Sequence, residues 1–208
     1  MVIQYITVKY LSDVVTLQNI VYSYLDKKEL LETLSVNEFK ILLNSQFAVG
    51  IFDGEHLIAF RAFLVPSHDM DDHLADDVGI DKEGTIYSEV SLVHPEYRGQ
   101  QLQTKMGKYL IDDLKRSSDL KYILATVSPN NIPSLKDKFK LGFRILKTKY
   151  KYGNKLRHIM MRDLHGESLY EFGKSIHVSY QDTDWMIENG HHYIGTRLEN
   201  GEIHYYKR

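Results

Sequence analysis

Apolar residues recur near the start of the chain with the periods of a strand followed by helices. Val2–Val8 alternates between apolar and polar residues, as a half-buried strand does. Ser12-Asp13 is a capping signal before a helical stripe of Val14, Leu17, Val21 and Tyr24. Ser35-Val36-Asn37-Glu38 has the form of a capping box, in which the serine hydroxyl and the glutamate each satisfy a free amide. We therefore expect a second, shorter helix that ends near Asn44.

The middle of the chain predicts a hairpin, and then a strand, a helix and another strand. Asp53-Gly54 supplies the positive φ angles that a tight turn requires, and it joins the strands Phe47–Phe52 and His56–Val65. After an acidic loop follow a strand over Thr85–Val93, a helix with the stripe Leu102, Met106, Tyr109, Leu110 and Leu114, and a buried strand over Lys121–Val127. This order implies a parallel pair with a right-handed crossover.

The last third of the chain predicts one more helix and two hairpins. The helix covers Asn131–Leu141, and a hairpin of Phe143–Tyr152 and Lys155–Met161 follows it. After Arg162 the pattern weakens, and it predicts a short helix over Asp182–Asn189 and a hairpin of Tyr193–Leu198 and Ile203–Tyr206. The predicted fold is mixed α/β, a largely antiparallel sheet of about seven strands with a parallel central pair and flanking helices. We expect one domain over residues 1–162 and a small C-terminal extension over residues 163–208.

The composition excludes several classes of protein. The 208 residues are 43% hydrophobic and 26% charged with a net charge of -2, so bulk charge indicates no nucleic-acid partner. There is no cysteine, which excludes disulfides, thiolate metal sites and cysteine nucleophiles. The sequence shows neither a signal peptide nor an apolar run long enough to cross a membrane. We therefore expect a soluble, cytoplasmic protein that binds neither nucleic acid nor membranes.

Charge is nevertheless distributed unevenly. Acidic residues crowd residues 69–83 and basic residues crowd residues 136–157. Two interpretations stay open: both segments are solvated faces, or a cation lies near the first and a phosphate-bearing ligand near the second. His68 and His73 flank several of these aspartates, a pattern more typical of a solvated loop than of a metal site. We therefore assign no metal ligand.

The segment between the strand Thr85–Val93 and the next helix carries the clearest chemical signal. It reads Val93-His94-Pro95-Glu96-Tyr97-Arg98-Gly99-Gln100-Gln101-Leu102-Gln103. A loop that opens a helix presents free amides and the positive end of the helix dipole, which together suit a pyrophosphate. The segment resembles the GNAT acetyltransferase family, whose loop reads V-x-P-x-[FY]-R-G-x-G-x-[GA] and binds the pyrophosphate of coenzyme A. It departs from that pattern at Gln101 and Gln103, where the family has small residues.

A second segment supports the resemblance. Asn131-Ile132-Pro133-Ser134, followed by Leu141-Gly142-Phe143, is similar to the N-x-x-[AS] and LGF elements of the same family at the family's spacing. The resemblance implies an N-acetyltransferase that moves the acetyl group of acetyl-CoA to a primary amine. It also implies that the cofactor is bound by Leu92, Val93, Arg98, Gly99, Gln100, Gln101, Leu102, Gln103, Asn131 and Ser134.

The strand before the loop holds the candidate catalytic groups. A protonated amine must lose a proton before it attacks, and Glu89 is a costly residue in mid-strand unless the charge is used. Glu89 is therefore either the general base or a surface or salt-bridged glutamate. The family's oxyanion donor, a backbone amide near the end of this strand, corresponds to Leu92 or Val93. In the family, a tyrosine often acts as the general acid that protonates the leaving thiolate, but this chain has Lys138 at that position. Tyr87, Tyr150 or solvent would therefore supply the proton.

The acceptor and the C-terminal extension leave alternatives open. The acceptor is a small-molecule or peptide amine, and a cationic one if the acidic loop lies on the acceptor side. The extension caps the sheet, lines the acceptor pocket or forms a homodimer contact. The alternative function is a catalytically weak or inactive ligand-sensing or interaction module on the same fold. A nucleic-acid binder that uses the basic segment is the least favoured hypothesis, because no recognised motif accompanies it.

Overall fold

The computed structural model of the protein describes residues 1–166 and 173–208. Its strands are β1 (Ile3–Tyr5), β2 (Ala48–Asp53), β3 (His56–Leu64), β4 (Thr85–Val93), β5 (Tyr122–Val127), β6 (Arg144–Lys151), β7 (Lys155–Asp163), β8 (Ile176–Ser179), β9 (Tyr193–Glu199) and β10 (Glu202–Lys207). Its α-helices are α1 (Leu11–Ser23), α2 (Val36–Asn44), α3 (Leu74–Val78), α4 (Leu102–Ser117), α5 (Ile132–Lys140) and α6 (Thr183–Asn189). Two compact units divide these elements between them.

The first unit comprises Met1–Val65 and Tyr87–Ser118. Its strands lie in the order β1-β2-β3-β4, and each neighbouring pair is antiparallel. Phe60 and Ala62 of β3 belong to a buried cluster with residues of α1 and α2. Arg61 stands between them and contacts the first turn of α4 instead. Because successive side chains of a strand point to opposite faces, α4 covers the face of β3 that α1 and α2 leave open.

The second unit comprises Pro66–Ile86 and, within the described part of the chain, residues from Asp119 to Arg208. Its strands lie in the order β5-β7-β6-β9-β10-β8. Gly195 of β9 lies opposite Ile145 of β6. A Cβ at Gly195 would lie 3.0 Å from Cε1 of Tyr205 and 3.1 Å from Cβ of Ile145, so glycine permits this close approach. The C-terminal hairpin therefore extends the sheet alongside β6.

The fold class is confirmed as mixed α/β with a largely antiparallel sheet. The carbonyl of Gly84, just before β4, accepts hydrogen bonds from the amides of Lys121 (2.7 Å) and Tyr122 (3.1 Å), where β5 begins. These two strands thus start at the same end, as a parallel pair requires. The described residues form ten strands, more than the seven or so predicted, because β8, β9 and β10 continue the sheet of the second unit.

Local sequence signals locate several element ends correctly and others wrongly. The capping box is confirmed: Oγ of Ser35 accepts a hydrogen bond from the amide of Glu38 (3.3 Å), and Oε2 of Glu38 accepts one from the amide of Ser35 (2.7 Å). The predicted cap at Ser12-Asp13 is wrong, because α1 begins at Leu11 directly after a 3₁₀ turn over Val8–Tyr10. Strand β1 is also shorter than the predicted Val2–Val8.

The predicted acidic loop contains a short helix, α3, that the sequence analysis missed. Nδ1 of His73 accepts a hydrogen bond from the amide of Ala75 (3.1 Å) where the helix begins, and Gly79 ends it at a φ of 70°. The domain boundary after residue 162 stays a prediction, and residues 167–172 of the predicted extension lie outside the described residues. Within the described ranges, no helix is long and apolar enough to cross a membrane.

Candidate active site

A β-bulge in β4 places Glu89 where no residue of β3 lies opposite it. Val90 pairs with Ala62 and Ser88 pairs with Phe63, so Glu89 is the extra residue between two consecutive pairs. A bulge leaves its extra residue outside the ladder and bends the strand locally. Glu89 is exposed while its neighbours Ser88 and Val90 are buried. The bulge therefore directs one carboxylate out of an otherwise buried strand.

The carboxyl group of Glu89 resists ionisation. Desolvation by the surrounding protein raises the pKa of Glu89, and the carboxylate of Glu38 raises it further. Solvent nevertheless reaches the side chain, so the group lies in a recess and not inside the core. A carboxylate with a raised pKa is a stronger base than an ordinary one. Glu89 thus meets the electrostatic condition for a general base, although its role stays a prediction.

The ladder between β3 and β4 distinguishes the two predicted oxyanion donors. The amide of His94 donates to the carbonyl of Ile58 at 2.8 Å. Hydrogen-bonded pairs alternate along an antiparallel ladder, so Leu92, which pairs with Phe60, also directs its amide toward β3. The amide of Val93 points to the other side of the strand. Of the two, Val93 is the residue whose amide is not committed to β3.

The loop after β4 is built from a 3₁₀ turn and two residues with positive φ. Pro95–Tyr97 forms the turn, and the hydroxyl of Tyr97 donates to Oδ2 of Asp53 at 2.5 Å, which ties the loop to the β2–β3 hairpin. Gly99 has a φ of 81°, and a Cβ there would meet no atom within 4 Å. Space over Gly99 is therefore open, and glycine is needed only for its backbone conformation.

Gln101 occupies a backbone conformation that favours glycine. It has a φ of 58° and a ψ of 27° at the N-cap of α4, and its side chain makes no capping bond to the described residues. This geometry explains why the family prefers a small residue here, and shows that glutamine preserves the turn at a cost of about 1–2 kcal/mol. The first amides of a helix lack partners within that helix. The start of α4 therefore fits an anionic group such as a pyrophosphate.

The remaining loop residues surround the same helix start. Arg98 and Gln100 are exposed, Leu102 is buried, and Gln103 is half-buried with its carbonyl oxygen turned toward β3. The structure thus brings Arg98, Gly99, Gln100, Gln101, Leu102 and Gln103 together at one end of α4, next to the end of β4. Contact with a cofactor stays a prediction for each of them.

Arg61 is a residue of this region that the sequence analysis missed. Its side chain is 0% exposed, although it carries a positive charge. Nη1 donates to the carbonyl oxygen of Gln103 at 2.9 Å, and Nη2 donates to Oγ of Ser88 at 3.1 Å. The guanidinium thus connects the first turn of α4 to the residue before Glu89. The available signal was an arginine inside the apolar run Leu57–Val65.

The candidates for the general acid lie in different surroundings. Tyr87 is buried two residues before Glu89, whereas Tyr150 is 53% exposed on β6 of the second unit. Lys138, which replaces the family's tyrosine, is buried in α5 with Nζ 5.5 Å from the centre of the Phe143 ring. Lys138 therefore packs at the end of its own helix. The assignment of Tyr87 as the acid stays a prediction.

Asn131 and Ser134 lie in the second unit at the start of α5. Oδ1 of Asn131 accepts a hydrogen bond from the amide of Ser134 at 3.1 Å, so the asparagine is the N-cap of this helix. The predicted asparagine and serine are thus partners of one another. This cap gives the asparagine a structural reason, because an N-cap side chain reaches the third helical amide, but it does not require a serine at that position. Their predicted contact with the cofactor stays a prediction.

The acidic and basic segments pair with each other within the second unit. Nζ of Lys151 lies 2.5 Å from Oδ2 of Asp77 and 2.7 Å from Oδ1 of Asp72, and Nζ of Lys149 lies 2.6 Å from Oδ1 of Asp77. These two aspartates and two lysines therefore compensate one another within the fold, and the role of the other charges in both segments stays a prediction. In residues 1–166 and 173–208, moreover, no three histidine, aspartate or glutamate residues are grouped as a metal site.

Comparisons with known proteins agree with this geometry. The model of the acetyltransferase (GNAT) family matches residues 12–143. Among solved structures, the ribosomal-protein-S18-alanine N-acetyltransferase of Escherichia coli has a TM-score of 0.59 at 16% identity, and the match covers 81% of this chain and 98% of that one. The yncA protein of Salmonella typhimurium, solved with its cofactor acetyl-CoA, has a TM-score of 0.58 at 15% identity over 80% and 95%.

A third structure extends the comparison. The PaiA N-acetyltransferase of Thermoplasma acidophilum, in complex with coenzyme A, has a TM-score of 0.55 at 14% identity, with 78% of this chain and 98% of that chain covered. A search of curated protein sequences finds no significant match. The fold is that of the GNAT acetyltransferase class. Since the family model matches more than half of its residues, the chain belongs to the GNAT family.

Proposed function

We propose that this protein is an acetyl-CoA-dependent N-acetyltransferase with a primary amine as its acceptor. The observation that carries the proposal is the bulge of β4. It places a carboxylate of raised pKa, Glu89, on the strand that ends at the anion-binding start of α4. A base on β4 and a phosphate cradle at the start of α4 would hold an amine and a coenzyme A thioester in place for direct transfer.

The residues at the start of α4 fit the phosphates of the cofactor. The amides of Gln101, Leu102 and Gln103 lie in the N-cap and first turn of the helix, and the positive φ of Gly99 opens the loop in front of them. Arg98 and Gln100 line the same exposed loop. In the second unit, Asn131 and Ser134 are the residues we assign to the pantetheine and adenosine-diphosphate region of the cofactor.

In the proposed reaction the amine nitrogen bonds to the thioester carbonyl carbon and the carbon–sulfur bond breaks. Glu89 accepts the proton of the amine, directly or through a water molecule. The amide of Val93 donates to the carbonyl oxygen while it carries negative charge, in preference to Leu92, whose amide faces β3. Tyr87 or solvent returns a proton to the sulfur, which leaves tolerably as a thiolate because its pKa is near about 8.5.

A cationic amine is the acceptor class that the first unit favours. Glu38, in the first turn of α2, is close enough to Glu89 to raise its pKa, so two carboxylates share this region. Asp72 and Asp77 of the acidic segment form ion pairs with Lys151, so they give little support to recognition of a cationic acceptor by this segment. The acceptor is a small molecule or a peptide.

We further propose that residues 163–208 are an extension outside the catalytic domain.

Calorimetric titration of acetyl-CoA into the purified protein tests the proposal first. Binding in the micromolar range, followed by turnover with at least one member of an amine panel, is the expected result. A panel of polyamines, aminoglycosides and lysine-bearing peptides covers cationic acceptors, and matched neutral amines are the control. Binding without turnover for any amine would instead favour a ligand-sensing module on the same fold, and no binding at millimolar cofactor would contradict the proposal.

A further inference from the structure

The buried guanidinium of Arg61 joins two parts of the first unit that lie far apart in the sequence. It donates to the carbonyl oxygen of Gln103 (2.9 Å) in the first turn of α4 and to the hydroxyl of Ser88 (3.1 Å) beside the bulge of β4. Arginine is almost never fully buried unless it is paired. Its planar fork fixes the relative positions of its acceptors, which a flexible lysine does not. One side chain therefore contacts both the first turn of α4 and the strand that carries the bulge.

The position of this charge adds an electrostatic effect. Arg61 is 0% exposed, and its partner on α4 is the carbonyl of Gln103, a residue whose own amide belongs to the proposed phosphate cradle. A buried charge is screened less by salt than an exposed one. A fixed positive charge behind the first turn reinforces the positive end of the helix dipole. An anion in front of the helix would therefore be stabilised through Arg61 without contact.

We propose that Arg61 is a positioning residue that selects for the phosphorylated end of the cofactor by holding the first turn of α4 in its anion-binding geometry. This inference rests on the proposed function, because it presupposes that the start of α4 meets the phosphates. Arg61 touches neither the acetyl group nor the acceptor in this role. Its effect is confined to phosphate-bearing ligands.

Two thioesters separate this role from a purely structural one. Acetyl-CoA carries the phosphates, whereas S-acetylpantetheine has the same reactive end without them. For Arg61→Met, we expect the Kd of acetyl-CoA, measured by calorimetry, to rise about tenfold, because the first turn of α4 loses its positioning contact and a nearby positive charge. The kcat/KM with S-acetylpantetheine should stay within about twofold of the wild-type value. Inorganic pyrophosphate should likewise bind more weakly to the variant.

The control variants guard against loss of folding and against a change in net charge. Arg116→Met removes one positive charge from an exposed position on α4. It should change neither the Kd of acetyl-CoA nor the kcat/KM with S-acetylpantetheine. Arg61→Lys keeps the charge but not the fork, and an intermediate Kd for acetyl-CoA is expected. If Arg61→Met does not fold, Arg61→Lys and Ser88→Ala carry the test, with melting temperature as the measure of folding.

The outcomes distinguish this inference from the proposed function. An equal loss with both thioesters would show that Arg61 only maintains the fold, and an unchanged Kd for acetyl-CoA in a folded Arg61→Met would show that it does not position the helix; either result overturns the inference alone. If the wild-type protein itself does not bind acetyl-CoA, the proposed function fails and this inference fails with it.

Discussion

Two charged regions of the molecule differ in how their charges are satisfied. In the lysine–aspartate cluster of the second unit, formed by Asp72, Asp77, Lys149 and Lys151, opposite charges lie 2.5–2.7 Å apart. At the bulge of β4 in the first unit, Glu89 has another carboxylate, that of Glu38, as its charged neighbour. The sequence shows the first region as two conspicuous charged segments and the second as a single glutamate. The conspicuous charges are structural, and the single one is the candidate base.

The directions of the pKa shifts express this difference. Burial alone would raise the pKa of Asp77, but hydrogen bonds from Lys149 and Lys151 outweigh it and hold the pKa below its usual range. For Glu89, desolvation by the surrounding protein and the neighbouring carboxylate of Glu38 act together and raise the pKa. A lowered pKa marks a carboxylate whose charge stabilises the fold, whereas a raised one marks a carboxylate whose charge destabilises it. The direction of the pKa shift therefore separates these two carboxylates, whereas the local density of charge along the sequence does not.

The largest effect is expected from Glu89→Gln, which removes the charge and keeps the shape of the side chain. We expect kcat/KM for acetyl transfer to fall by about 10²- to 10⁴-fold, because a positioned general base contributes that much. In the wild-type protein, activity should fall as the pH is lowered through the pKa of Glu89, since the base must be ionised. This pKa lies above the usual glutamate range. Initial rates over a pH series measure both effects.

The matched control for this variant is Glu38→Gln, which removes the neighbouring carboxylate. Because Glu38 raises the pKa of Glu89, its loss should shift the acid limb of the pH–rate profile to lower pH while Glu89 stays in place. Both variants should retain the wild-type Kd for acetyl-CoA. Full activity of Glu89→Gln at neutral pH would contradict the assignment and place Glu89 among ordinary surface glutamates.

The next largest effect concerns stability and comes from Lys151→Met. The Lys151 side chain is 0% exposed and that of Asp77 is 8% exposed. The substitution therefore leaves the buried carboxylate of Asp77 paired with Lys149 but no longer with Lys151. Breaking a buried pair from one side costs about 3–5 kcal/mol, and the remaining Lys149 places this case near 3 kcal/mol. Urea denaturation measures the loss. The folded variant should bind acetyl-CoA with unchanged affinity.

Lys149→Met is the comparison variant for that experiment. Its side chain is 36% exposed, so we expect a loss nearer about 1 kcal/mol, as is usual for partly solvated pairs. If the two variants lost the same small amount of stability but bound acetyl-CoA more weakly, the cluster would be a ligand site after all, and the contrast between the two charged regions would disappear.

The sequence predicts features that depend on neighbours in the chain. The capping box Ser35–Glu38 is predicted correctly, and so is the hairpin of Tyr193–Leu198 and Ile203–Tyr206. Each of these features joins residues that are close together in the chain. Strand β4 has the predicted bounds Thr85–Val93. Such signals are local because they satisfy backbone amides or relieve backbone strain at one place.

The remaining features depend on contacts that are remote in sequence. Lys151 and Asp77 are 74 positions apart, and Arg61 and Gln103 are 42 positions apart, so no pattern along the chain reveals either pair. The bulge at Glu89 depends on the register between β3 and β4 and has no residue signal of its own. Glu89 was therefore recognisable as a candidate base, but its position in a bulge and the buried arginine that contacts the preceding residue were not.

The pH dependence of stability should have opposite signs in the two regions. The lowered pKa of Asp77 provides stability above its unfolded pKa of about 4, and this stability is lost as the pH falls through the folded value. The raised pKa of Glu89 acts in reverse, because its contribution is present below its unfolded pKa and is lost as the pH rises through the folded value. Asp77→Asn should thus destabilise the protein at pH 7, and Glu89→Gln should stabilise it.

Denaturation of both variants at pH 7 and near pH 4 measures these signs. The difference between Glu89→Gln and the wild-type protein should shrink near pH 4, because the raised pKa of Glu89 leaves its carboxyl group protonated there. The difference for Asp77→Asn should shrink only below about pH 4, because the lowered pKa keeps the Asp77 carboxylate ionised in the folded protein. Effects of the same sign at pH 7 would show that one of the two carboxylates has been assigned to the wrong class. We expect each of these two variants to change the free energy of unfolding by less than Lys151→Met does, because asparagine and glutamine keep the shape of the side chain they replace.

The smallest effect is expected from substitutions of Gln101 and Gln103 after β4, because neither substitution changes a charge. Gln101 has a φ of 58°, so Gln101→Gly relieves a strain of about 1–2 kcal/mol but adds about 0.5–1 kcal/mol of backbone entropy to be lost on folding. The net change in stability is therefore a gain of between zero and about 1.5 kcal/mol. Gln103→Gly, two residues later in α4, relieves no strain and should cost up to about 1 kcal/mol. Opposite signs for these two substitutions, measured by denaturation, would show that backbone conformation alone accounts for the family's preference for a small residue where this chain has Gln101. A loss at both positions would instead mean that the Gln101 side chain itself supports the loop.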